Sequence, residues 1–146
     1  MITATQLCTF MLDNQMFGVD VQSVQEVIRY QEMTEVPLAP DAVCGLINLR
    51  GQIVTAIDLR KRLGLPGRPA DQLPMNVVVR SDDGAISLLV DQIGDVQEID
   101  QEFFEPPPET LQGESRKMIR GAYKMKDRLL LILDTERAMN VTAIDE

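Results

Sequence analysis

Short stretches of this chain recur in the same order at nearly constant spacing, and a repeat of that kind limits the folds open to it more than any single motif does. Val19-Asp20 followed by Val24-Gln25-Glu26-Val27 returns as Val90-Asp91 followed by Val96-Gln97-Glu98-Ile99, 71 to 72 residues later. Leu49-Arg50-Gly51 returns as Ile119-Arg120-Gly121 at an offset of 70. Ile57-Asp58-Leu59-Arg60 is echoed by Leu133-Asp134-Thr135-Glu136. Asp58 lies 7 residues after Gly51 whereas Asp134 lies 13 after Gly121, so the second copy reads as carrying an insertion in its hairpin. Landmarks kept in one order imply a duplicated fold of two similar lobes, over residues 16–70 and 75–134, joined by the Pro- and Gly-rich stretch Pro66–Pro74. A strand over 5–12 and a short helix over 135–140 are expected to pack across the lobes.

Each copy reads as hairpins closed by turn residues. Gln6–Leu12, the pair Asp13-Asn14 and Phe17–Val21 form the first; Ile47–Leu49, Arg50-Gly51 and Ile53–Ile57 the second; Asn76–Arg80, Ser81–Gly84 and Ala85–Asp91 the third. Val21, Val24, Val27 and Ile28 fall at helical spacing and predict a short amphipathic turn or helix between the first two hairpins. Leu59–Leu63 predicts a short helix stopped by Gly64 and Pro66, and Pro106–Pro108 a stiff extended connection. Gly51 and Gly121, each behind an Arg, are expected at left-handed turn positions that a side chain would strain.

Composition supports strands. The chain of 146 residues is 45% hydrophobic but only 4% aromatic, with no Trp, so its core must come from Val, Ile, Leu and Met. The fold class read from these features is all-β, with a few short helices. A formal charge of −9 repels phosphate backbones and anionic lipid, which argues against nucleic acid as a partner and against insertion into membranes. A barrel module for nucleic acid would need a basic face with stacking aromatics, whereas Phe10, Phe17, Tyr30, Phe103, Phe104 and Tyr123 are scattered.

No apolar run is long enough for a membrane span, and the start of the chain lacks the features of a signal peptide, so a cytoplasmic location is expected. His is absent, and Cys8 and Cys44 form no metal-ligand spacing; both read as buried apolar residues in a reducing compartment. Without His, neither cysteine nor any serine has the usual activating base, and Asp82-Asp83 is explained by its tight turn. Catalysis is therefore not expected, nor a cofactor or metal. Taken singly, Arg50 reads as a solvated turn residue, Glu26 as the polar face of a short helix, and Val21, Val24 and Val27 as core before interface.

Read together, Val36-Pro37, Pro40, Gly45–Val54 and Ile57-Asp58-Leu59-Arg60 resemble the signature stretch of the chemotaxis coupling (CheW-like) family. Val24–Val27 and Leu88–Ile93 are similar to that family too, and the likeness runs from Gln6 to Met139. The resemblance implies two five-stranded SH3-like barrels side by side and a non-enzymatic adaptor. Its expected partners are the regulatory domain of a CheA-like histidine kinase and the cytoplasmic tip of a methyl-accepting chemoreceptor, at receptor arrays on the inner membrane. Carried over by position, it assigns Val24, Glu26, Val27, Arg50, Ser87 and Val96 to receptor binding, with Glu26 and Arg50 paired, and Met33, Thr34 and Val36 to kinase binding. Thr55 stands where the family usually has Pro, and Ser87 where Gly is usual, which adds a side chain near the expected groove. With no room for a fused receiver after Met139, a stand-alone adaptor is expected, and the same fold serving twitching motility or another non-swimming kinase pathway is the alternative.

Overall fold

The computed structural model describes residues 4–82, 84–111 and 113–140. Its β-branched and leucine-rich runs form eleven strands: β1 Ala4–Leu12, β2 Gln15–Asp20, β3 Val24–Ile28, β4 Val43–Leu49, β5 Gln52–Asp58, β6 Met75–Ser81, β7 Gly84–Val90, β8 Gln92–Asp100, β9 Phe104–Glu105, β10 Ile119–Lys124 and β11 Leu129–Leu133. Three short helices accompany them, α1 Leu59–Arg62, α2 Gly113–Met118 and α3 Thr135–Met139. Asp58 caps α1 by accepting from Arg60 N at 3.0 Å, and Asp134 caps α3 by accepting from Arg137 N at 3.2 Å. The helical spacing at Val21–Ile28 does not produce a helix: one 3₁₀ turn, Val21–Ser23, leads directly into β3. β3 pairs along its length with β6, and sheet pairing overrides so short a periodic signal. Asp83, in the expected turn before β7, lies outside the described residues.

The strands sort into a five-stranded sheet, β3-β6-β7-β5-β4, and a six-stranded sheet, β8-β1-β2-β11-β10-β9. In each, the first two neighbouring pairs are antiparallel, the third is parallel (β7 with β5, β2 with β11) and the fourth antiparallel, so one order and sense recurs and β9 is the only addition. The duplication is therefore real, but the expected lobes over 16–70 and 75–134 are not how the sheets divide. Hairpin β1–β2 pairs with strands of the second copy, and hairpin β6–β7 with strands of the first. The two copies have exchanged their opening hairpins. For the same reason β1 does not pack across the lobes but lies inside the six-stranded sheet, between β8 and β2.

Two of the sequence landmarks also shift. Asp58 and Asp134 cap equivalent helices, and the glycine 13 residues before each is Gly45 and Gly121 (58 − 45, 134 − 121). Gly45 pairs with Ala56 and Gly121 with Ile132, each just past a bulge, so Gly121 corresponds to Gly45 and no insertion enters that hairpin. Gly51 has the expected left-handed φ of 90°, while Gly121 lies inside β10. It is needed there for space, since a Cβ would come 2.5 Å from Glu105 O. Similarly, Cys8 pairs with Val19 and Met75 with Val90, which makes Cys8 and Met75 counterparts. Val96 faces Cys8, whereas the last pairing of β3, Ile28 with Asn76, falls one short of Met75. Val96 therefore corresponds to the residue after Ile28, not to Val24.

Each sheet closes on itself. From edge strand β8, residues 101–103 lead straight to β9 on the opposite edge, and after β3 the chain reaches Thr34, which bridges Leu46 of β4 through hydrogen bonds of 2.8 Å both ways. Alternation along the strands then divides the core. Val78 and Leu89 join Ile47, Leu49, Val54 and Ala56 inside the five-stranded lobe, and Leu130 and Ile132 join Leu7 and Ile99 inside the six-stranded one. Their strand neighbours Val77, Val79, Leu88, Val90, Leu131 and Leu133 turn the other way, into one shared core with Phe10, Phe17 and Leu59. This seam makes the lobes one unit, and α3 is tied across it by Arg62, which donates to Arg137 O at 2.8 Å and Asn140 O at 3.0 Å.

Candidate functional site

The turn between β4 and β5 is a two-residue hairpin connection closed by Leu49 opposite Gln52, with φ of 51° at Arg50 and 90° at Gly51. Two successive left-handed residues match the twist of the flanking strands, and Asn48 Oδ1 accepts from Gly51 N at 2.9 Å. The β1–β2 turn meets the same demand with Asp13 and Asn14, types that tolerate it. At Arg50 the demand falls on a long side chain, which is thereby held at the tip in a costly conformation. Its guanidinium pairs with Glu26 of β3, joining opposite edges of the five-stranded sheet. The hydrogen bond from Arg50 holds the Glu26 carboxyl below its ordinary pKa. Arg50 is 73% exposed and Glu26 19%, so the pair presents a fixed cation to solvent.

Around this pair the expected receptor residues separate. A bulge at Gln25 breaks the alternation of β3, so Val24, opposite Val79, and Val27, opposite Val77 and 43% exposed, share the seam face. Glu26, opposite Val78, and Ile28, opposite Asn76, point the other way. Val96, 54% exposed, stands on β8, an edge strand of the other sheet. Ser87 must be struck from any contact surface: it is fully buried, and its hydroxyl donates to Asn76 Oδ1 at 2.7 Å. Asn76 in turn donates from Nδ2 to Arg29 O at 3.0 Å, so Ser87 serves the internal hydrogen-bond network. Met33 packs on the core of the five-stranded lobe, Thr34 is exposed at its bridge, and Val36 is half-buried. Leu38, which the sequence reading passed over, is fully exposed at φ 63° between Pro37 and Pro40. Two flanking prolines were the available signal for a stiff loop presenting it.

The second polar cluster is buried. Arg60 forks onto both oxygens of Asp91 and donates to Pro66 O at 3.0 Å and Gly67 O at 3.2 Å, pinning the connection between copies to the seam. Arg68 Nε reaches Asp91 Oδ1 at 3.0 Å, and Asp13 N donates to Oδ2 at 2.9 Å. Burial alone would raise the Asp91 carboxyl, but these donors outweigh it and hold it below its ordinary value. The cluster fits a structural clamp. Among the described residues no group of His, Cys, Asp and Glu is placed to hold a metal ion. Burial pushes both thiols up, Cys8 and Cys44 alike.

The family model for the CheW-like domain matches residues 6–143. The chain belongs to the CheW-like family. It is 30% identical to the chemotaxis protein CheW of Bacillus subtilis over 138 residues, covering 94% of this chain and 88% of that protein. It is also 30% identical to the CheW of Klebsiella aerogenes over 131 residues, covering 90% and 79%. The crystal structure of the scaffolding protein TtCheW from Thermoanaerobacter tengcongensis matches with a TM-score of 0.81 at 30% identity, covering 90% of each chain. A CheW-like chain is a chemotaxis scaffold, and among the described residues no helix is long and apolar enough to cross a membrane.

Proposed function

We propose that this chain acts in the cytoplasm as an adaptor, binding the tip of a chemoreceptor and the regulatory domain of a histidine kinase while transforming neither. The observation that carries the reading is Arg50, held at φ 51° on a tight turn, ion-paired to Glu26 and still largely exposed. Strain retained at an exposed charged residue has no packing explanation and fits a residue kept for contact. A receptor tip made of helices would lay apolar residues against Val24, Val27 and Val96, with Arg50 and Glu26 fixing its register. The kinase surface would comprise Met33, Thr34 and Val36, with Leu38 as a pre-organised apolar anchor that loses little entropy on binding.

Reconstitution tests this. The isolated regulatory domain should bind the chain, and receptor-dependent activation of the kinase should require it. A chain that binds neither partner, or activates equally well after Arg50→Ala, would refute the assignment.

A further inference from the structure

The duplication exposes one place where the copies differ in chemistry. In one seam the carboxylate of Asp91 is neutralised by Arg60 and Arg68. Its counterpart Asp20, which follows Val19 as Asp91 follows Val90, faces a different situation: the place of Arg60, 76 positions on, is taken by Glu136. Asp20 accepts only from Gln22 N, at 2.9 Å, and among the described residues no cation pairs with it. Cys44, half-buried in the five-stranded lobe, has as its counterpart Arg120, which is exposed and makes no hydrogen bond or ion pair among the described residues. Met33, packed on the core of the five-stranded lobe, is likewise matched by Phe104, which is 41% exposed.

The result is a cavity of about 410 Å³ at one end of the six-stranded lobe, within the range of small-ligand pockets. Its apolar floor is Leu7, Ile99 and Ile132, and Asp20 and Arg120 stand on its wall without pairing to each other. We infer that this cavity binds a small zwitterion with an apolar body, such as a free α-amino acid with an aliphatic side chain. The ammonium would go to Asp20, the carboxylate to Arg120 and the side chain onto the floor. An uncharged apolar ligand would leave both charges unused, and an ion of one sign would meet a like charge.

Three probes separate these possibilities: leucine, N-acetylleucine, which lacks the ammonium, and leucinamide, which lacks the carboxylate. Titrated into the ¹⁵N-labelled protein, leucine should shift the amides of Thr5, Ile99 and Arg120 and bind about tenfold more tightly than either analogue, the worth of one charge-assisted hydrogen bond. Asp20→Asn, which can still cap the 3₁₀ turn, should erase its advantage over N-acetylleucine, and Arg120→Gln its advantage over leucinamide. Both are surface changes that leave the cores intact. Absent shifts, equal binding by leucine and either analogue, or indifference to both substitutions would overturn the inference. No partner protein enters the measurement, so its outcome is independent of the adaptor reading.

Discussion

Replacing Asp91 by Asn tests whether the seam is held by charge or by shape. Asp91 is buried and accepts from Arg60, Arg68 and the Asp13 amide, so the substitution keeps the volume and one acceptor but leaves two buried guanidinium groups without their principal anion. Breaking one side of a buried pair costs about 3–5 kcal/mol. Arg60 keeps the carbonyls of Pro66 and Gly67, and Arg68 keeps Asp58 at 3.7 Å, which argues for the lower end, about 3 kcal/mol. In a domain of this size that corresponds to a fall in melting temperature of roughly 10 °C at neutral pH.

The difference should depend on pH in one direction. A carboxylate whose folded pKa lies below its unfolded value, about 3.9, contributes stability that is complete above that value and lost as pH falls through the folded pKa. Asp91 is depressed in this sense. Melting curves of the two proteins should therefore converge in acid, below about pH 4. A fall of less than about 2 °C at neutral pH, or a gap that persists in acid, would show that the clamp contributes little and that the seam rests on its apolar core.

Arg50→Gly should leave the melting temperature nearly unchanged, because glycine relieves the left-handed turn, while receptor-dependent kinase activation falls sharply; retained activation would make Arg50 a turn residue only. Val36→Asp and Leu38→Asp should each weaken binding to the isolated kinase regulatory domain without unfolding the chain, as seen by calorimetry beside a melting curve; unchanged affinity for both would place that surface elsewhere. Gly121→Ala should destabilise by about 1–3 kcal/mol in urea, since its Cβ meets the backbone of β9, and an equal loss at Gly67→Ala, where nothing lies within 4 Å, would contradict the packing argument. Cys8 and Cys44 should react with iodoacetamide more slowly at neutral pH than a free thiol does, gaining rate only in denaturant.

What could be read from the amino-acid order alone is what short-range chemistry specifies. The Asp13-Asn14 and Arg50-Gly51 turns, the helix after Asp58 and the strand runs at Val77–Val79 each show within about ten residues of themselves, the scale on which turn, cap and pattern preferences act, and the two copies show because such short landmarks recur in order. The signature stretch around Gly45–Val54 led to the family and to the Arg50–Glu26 pair before any contact was visible. Short-range chemistry could not say which hairpin joins which lobe, because β1–β2 and β6–β7 are equivalent units that would complete either barrel. Only the shared core at Phe10, Leu59, Leu88 and Leu133 decides that exchange. Nor could it show that a bulge at Gln25 puts Val24 and Val27 on one face of β3, or that Ser87 is buried. Both depend on the pairing partner and the face a strand presents, and these are set by residues far away in the chain.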